Sequence, residues 1–151
     1  MAQTVNPSKP HAEHLRLGRY SELGRAYHVT ATTQGRERVF GDLWAARTLI
    51  QCLRTSEGQG STETLAFVVM PDHLHWLFVL KRGDLAEVVG AVKSVSAHRL
   101  GRRLWQPGYY DHGVRTEEDL RALARYIVAN PLRAGLVEHL GDYPHWDAVW
   151  L

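Results

Sequence analysis

Apolar residues recur along this chain in two rhythms, one with the period of a strand and one with the period of a helix. Residues 26–33, Ala-Tyr-His-Val-Thr-Ala-Thr-Thr, are rich in β-branched and aromatic types and predict a first strand. Asp42 is placed to cap a helix whose apolar stripe is Leu43, Ala46, Ile50 and Leu53. Residues 65–70 form a continuous apolar run, the pattern of a strand covered on both faces. Pro71 and Asp72 predict a turn, after which residues 73–80 return as a second strand. Side chains alternate across a strand, so Leu74, Trp76, Phe78 and Leu80 share one face and His73, His75, Leu77 and Val79 the other.

Asp84 and Glu87 have the spacing of a capping box, with Asp in place of Ser or Thr. The helix they open carries Leu85, Val88, Val89, Val92 and Val95 and runs to about Arg99. Residues 105–114 contain Pro107 and Gly108 and then Tyr109-Tyr110, and predict a loop followed by an edge strand. Thr116 caps a third helix, with Glu117, Glu118 and Asp119 favourable to its dipole and Leu120, Leu123, Ala124 and Ile127 as its buried stripe. Pro131 stops it, because the residue before a proline is disfavoured in the α region. The tail from Arg133 carries Tyr143, Trp146 and Trp150 and is expected to pack back on the body. The order β-α-β-β-α-β-α predicts an α+β fold of the ferredoxin-like sandwich type, an antiparallel sheet with helices on one face. Residues 1–23 lack periodicity and are expected to form a flexible arm before one catalytic domain over 24–151.

Composition narrows the class. At 151 residues, 44% apolar and 23% charged, the chain has the make-up of a globular domain rather than a disordered or fibrous one. The net charge of +2 is a weak argument for a polyanionic partner, but 15 of the 18 basic residues are arginine, whose fork matches phosphate oxygens. A GC-rich genome would give the same bias. Cys52 is the sole cysteine, so no intrachain disulfide forms. No apolar run has the roughly 18 residues of a membrane span, and the first twenty residues carry no apolar signal segment, so a cytoplasmic protein is expected.

The candidate chemistry lies in two stretches. His73 and His75, on one strand face, are a natural pair of ligands for a divalent metal. Tyr126 and Asn130, one helical turn apart, supply a phenol able to act as a nucleophile and an amide oxygen able to complete the metal site. Each residue has an ordinary explanation: a core histidine with a satisfied nitrogen, a tyrosine with its ring packed on an amphipathic helix, a helix-terminal asparagine before proline. Arg99, Arg102 and Arg103 are most simply a solvated helix end. Histidine-triad nucleotide hydrolases also alternate histidines along a strand, but the third position here is Leu77. The coincidence of imidazole pair, phenol and amide favours chemistry on a phosphodiester.

These motifs resemble those of the single-tyrosine HUH transposases, and within them the REP-associated tyrosine transposases. His73-Leu74-His75 after Met70-Pro71-Asp72 is similar to the His-hydrophobic-His signature. The second signature resembles residues 108–112 (Gly-Tyr-Tyr-Asp-His), then Arg115, Tyr126-Ile127, and residues 130–137. The resemblance implies a metal-dependent single-strand DNA endonuclease and strand transferase. His73, His75 and Asn130 would hold Mg²⁺ or Mn²⁺, and Tyr126 would form a 5′-phosphotyrosine intermediate and free a 3′-hydroxyl. It implies a substrate of single-stranded DNA carrying a palindromic hairpin, a monomer or homodimer, and a DNA-binding surface. For that surface Arg99, Arg102, Arg103 and Arg115, with Lys93 beside them, would contact the backbone and Tyr109 and Tyr110 would stack on bases. Lys9, Arg16, Arg19 and Arg25 of the arm would add a hairpin contact. Two other readings compete: a domesticated hairpin-binding module that has lost strand transfer, and a phosphodiesterase without a covalent intermediate.

Overall fold

The computed structural model describes residues 21–150. The arm expected over residues 1–23 therefore lies, except for its last three residues, outside the described part.

The expected elements form where the local signals place them. Strand β1 covers Ala26–Thr32, helix α1 Leu43–Gly58, β2 Thr62–Met70, β3 His73–Leu80, α2 Leu85–Leu100, β4 Tyr110–Val114 and α3 Glu117–Val128. Asp42 caps α1 by accepting from the Ala45 N–H at 2.9 Å. Asp84 and Glu87 close the reciprocal capping box of α2, and Thr116 caps α3. Gly101 ends α2 at φ 66°, a left-handed conformation that costs glycine little.

The sheet order is β4-β1-β3-β2-β5, every neighbour antiparallel, with β5 the three residues Trp146–Ala148. The tail thus does more than pack back: it adds a fifth strand along β2. Helices α1 and α2 cover one face, where Leu74, Trp76, Phe78 and Leu80 meet Leu49, Leu53, Val88 and Val92. The α+β fold with an antiparallel sheet is as expected, with one correction: α3 lies on the opposite face. There Ala124, Ile127 and Val128 pack on Ala26, Val68, Leu77 and Val114. A buried helical stripe shows that a helix has a sheet to cover but not which side it covers. Each fully buried aliphatic side chain contributes about 1.5–3 kcal/mol, so both layers hold the sheet.

A second local correction concerns the end of α3. The helix stops at Val128 with Ala129 as its C-cap, and Asn130–Arg133 forms a separate short helix, α4. Pro131 has no N–H to give back to the preceding turn, so the two segments do not run on as one. Asn130 thus opens α4 instead of following Tyr126 along one helix face.

Candidate active site

The period of β3 puts His73 and His75 on the face that α3 occupies, beyond the apolar contact of Leu77. Their rings meet edge to face with centroids 4.9 Å apart. The two-residue turn Pro71-Asp72 fixes this placement, since Met70 pairs directly with His73. Asp72 in that turn reaches back, and its Oδ1 lies 2.8 Å from His73 Nδ1. Its other oxygen, Oδ2, accepts from Arg36 Nε at 3.1 Å. Burial alone would raise the Asp72 carboxyl, but the His73 hydrogen bond and the His73 and Arg36 charges outweigh it and hold the group below its ordinary value.

His75 is met from β1. Thr30 is its register partner, and His28 lies one step along the same face. His28 Nε2 stands 3.0 Å from His75 Nδ1, and Thr30 Oγ1 lies 3.2 Å from the same nitrogen. Next along the sheet, His112 of β4 pairs with His28. Burial, reinforced by the His28, His73 and Arg133 charges, pushes His75 down to about 2. Burial and then His112 lower His28 to about 4. Both rings are neutral at neutral pH, the form in which imidazole binds metal.

Tyr126 is on the same side of the sheet, on the outer surface of α3, and 55% exposed. The Arg133 guanidinium lies 3.8 Å from its ring centroid, and Arg133 Nη1 donates to the Tyr126 carbonyl at 2.9 Å. The charge of Arg133 is also felt at His75. Arg133 thus contacts the tyrosine, and no hydrogen bond among the described residues joins Tyr126 to the histidine pair. Asn130, in α4 against β2, has a buried Nδ2 with no hydrogen-bond partner.

These groups bear directly on whether a divalent ion fits. The imidazoles of His73 and His75 have Nδ1 engaged and Nε2 without a hydrogen bond among the described residues, and a buried amide lacks a partner. The nitrogen and oxygen of that amide exchange places by a half-turn, so the orphaned position equally holds an acceptor. No group of three His, Cys, Asp or Glu is placed to hold a metal among the described residues. The remaining positions around an ion are open to water, an amide or other oxygens. The histidine pair fits a divalent ion on those terms.

The residues expected to bind DNA separate. Tyr109 is 6% exposed and belongs to the core under α2, so as folded it offers no ring face to a base. Tyr110 is half-buried on the histidine face, paired with Thr30. Arg102 is bound to Glu37, and the charge of Arg99 is felt at Cys52. Arg103 and Arg115 are exposed. Lys93 donates to the Gln106 and Gly108 carbonyls at 3.1 and 2.6 Å, and burial lowers it to about 8. It holds the loop before β4. Sequence reasoning gave no role in the site to His28, Asp72 or Arg133. Asp72 and Arg133 fall inside the stretches it quoted, but His28 had no local signal at all.

Residues 23–130 match the family described as Transposase IS200 like. The REP-associated tyrosine transposase of Escherichia coli K12 is 33% identical over 85 residues, covering 54% of this chain and 52% of its own. A Haemophilus influenzae relative is 28% identical over 100 residues, so the chain spans about half the length of the curated relatives it matches. A solved REP-associated tyrosine transposase bound to a REP hairpin superposes with a TM-score of 0.75 at 26% identity, covering 85% of this chain and 79% of that one. Among the described residues no helix is long and apolar enough to cross a membrane. With a family match spanning most of its length and a fold shared with a solved transposase, the chain belongs to the IS200-like transposase family.

Proposed function

We propose that this protein is a metal-dependent single-strand DNA endonuclease and strand transferase that acts on hairpin-bearing single strands through a phosphotyrosine intermediate. The observation that carries this reading is the shared face of His73 and His75, each with Nδ1 engaged, on the side of the sheet where α3 carries Tyr126 under the Arg133 guanidinium. The relative's hairpin supplies the substrate class.

In this reading His73, His75 and Asn130 hold Mg²⁺ or Mn²⁺, which when bound supplies Lewis-acid neutralisation of charge on the phosphate oxygens. Tyr126 Oη attacks phosphorus in line, losing its proton. The P–O bond to the 3′-oxygen breaks, and that oxygen takes up a proton to become a 3′-hydroxyl. The 5′-phosphate stays on Tyr126, and a second 3′-hydroxyl can later displace the phenol without ATP. The Arg133 guanidinium, already stacked on the tyrosine, is placed to neutralise a phosphate brought to Oη. Arg103, Arg115 and Tyr110 remain as DNA contacts.

Incubation with labelled single-stranded hairpins and Mn²⁺, scored for a covalent adduct on denaturing gels, tests the reading. Wild type should form an adduct and Tyr126→Phe none, with hairpin affinity kept. Cleavage by Tyr126→Phe at the wild-type rate would turn the assignment to hydrolysis by water, and binding without any cleavage to a silent hairpin-binding module.

A further inference from the structure

We propose that His28 with Thr30, and Asp72, are positioning residues that fix His75 and His73 as Nδ1–H tautomers and so leave both Nε2 atoms bare as donors to a cation. This goes one layer beyond the histidine pair and rests on its reading as metal ligands.

Asp72 bonds Arg36 through Oδ2 and meets His73 Nδ1 through Oδ1 at 2.8 Å. An ionised carboxylate only accepts, so the proton between them is on Nδ1. In the neutral ring the Nε2 of His73 then carries a lone pair.

For His75 two groups converge on one nitrogen. His28 Nε2 and Thr30 Oγ1 lie 3.0 and 3.2 Å from Nδ1, whereas Nε2 has no hydrogen bond among the described residues. A proton on Nδ1 finds an acceptor in either neighbour. A proton on Nε2 finds no protein partner among the described residues. The imidazole of His28 accepts through Nε2 when its own proton sits on Nδ1. It is also held in place, stacked with His75 at a centroid separation of 5.1 Å and paired across the sheet with His112.

Two different partners on two different elements thus do the same thing to adjacent rings. Asp72 comes from the turn and His28 from the neighbouring strand, and both engage Nδ1. A metal-binding histidine ordinarily gives its second ring N–H to such a partner, which fixes ring and tautomer, and losing the partner costs about 10–100-fold in metal affinity.

The test uses the whole chain and two readouts. ¹⁵N spectra of the metal-free wild type should show both rings protonated at Nδ1; an Nε2–H form of either ring overturns the proposal for that ring. Mn²⁺ affinity, read by electron paramagnetic resonance, should fall about 10–100-fold in Asp72→Ala and in the double variant His28→Leu/Thr30→Val. His28→Gln, which returns an acceptor at similar reach, should recover most of the loss. Variants that melt like wild type and bind Mn²⁺ as tightly overturn the proposal. If a variant fails to fold, the wild-type spectra still decide. Wild type with both rings in the Nδ1–H form and no Mn²⁺ affinity overturns the metal reading and leaves the tautomer assignment standing.

Discussion

The two faces of β3 are built from the same eight residues to opposite ends. Under α1 and α2, Leu74, Trp76, Phe78 and Leu80 are almost completely buried, Trp76 and Phe78 stack at 4.0 Å, and the Trp76 indole N–H donates to Thr64 Oγ1. Under α3 the strand starts with two imidazoles and becomes apolar only at Leu77. One face is a closed core; the other is closed at one end and polar at the other. Because side chains alternate strictly, a change at one position should act on one face and spare its neighbour.

The sharpest way to break this comparison is a pair of adjacent substitutions. His73→Ala should lower covalent adduct formation by about 10²–10³-fold, the usual cost of losing one group that stabilises transition-state charge. Its unfolding free energy, read from urea melts, should fall by only about 1 kcal/mol, the net worth of the lost hydrogen bond. Trp76→Ala should do the reverse: a stability loss of about 3–5 kcal/mol from the cavity, and near-normal adduct yield per folded molecule. Equal losses of stability in the two variants would dissolve the distinction between the faces.

Acid sharpens it next. His28 and His75 are held neutral by burial, so between their ordinary value of 6.5 and about 4 the unfolded chain binds protons that the native chain refuses. Stability is fully present above pH 6.5 and should decline as pH falls through that window. His28→Gln should flatten this decline in urea melts at pH 7, 5.5 and 4.5; an unchanged slope would place the acid sensitivity elsewhere.

The smallest effect belongs to the far end of the closed face. Asp84→Ala removes the capping box of α2 and should cost about 1 kcal/mol in thermal or urea melts. Adduct formation should stay at the wild-type level, since α2 has no part in the histidine face. A fall in cleavage would mean that the two layers are coupled.

Much of this was legible in the sequence for local reasons. Caps at Asp42, Asp84 and Thr116 depend on a few neighbouring residues, and the shared face of His73 and His75 follows from strand period alone. What was not legible depends on pairing across the sheet. His28 reaches His75 because Thr30 pairs with His75, a register set 45 residues away. Tyr109 and Tyr110 look alike in sequence, yet one points into the core and the other to the histidines, and only the pairing of β4 with β1 decides which. Strand β5 is three residues that become a strand by lying against β2, and its local sequence has no need of that form. The break before Asn130 was signalled by Pro131, but the amide's final neighbours were not.

The turn at Pro71-Asp72 has a consequence for how this chain can change over generations. Because only two residues separate β2 from β3, a one-residue insertion there, unless taken up as a three-residue turn, would slide β3 by half its repeat. The imidazoles would then be driven among the leucines and valines of α1 and α2, and Trp76 out toward α3. A single codon would remove the chemistry and the core together, with no intermediate that keeps either. The loop at residues 59–61, which joins α1 to β2, carries no such double burden. Length variation should therefore be tolerated in lineages at that loop and be absent at the turn, which makes the turn the ruler of the molecule.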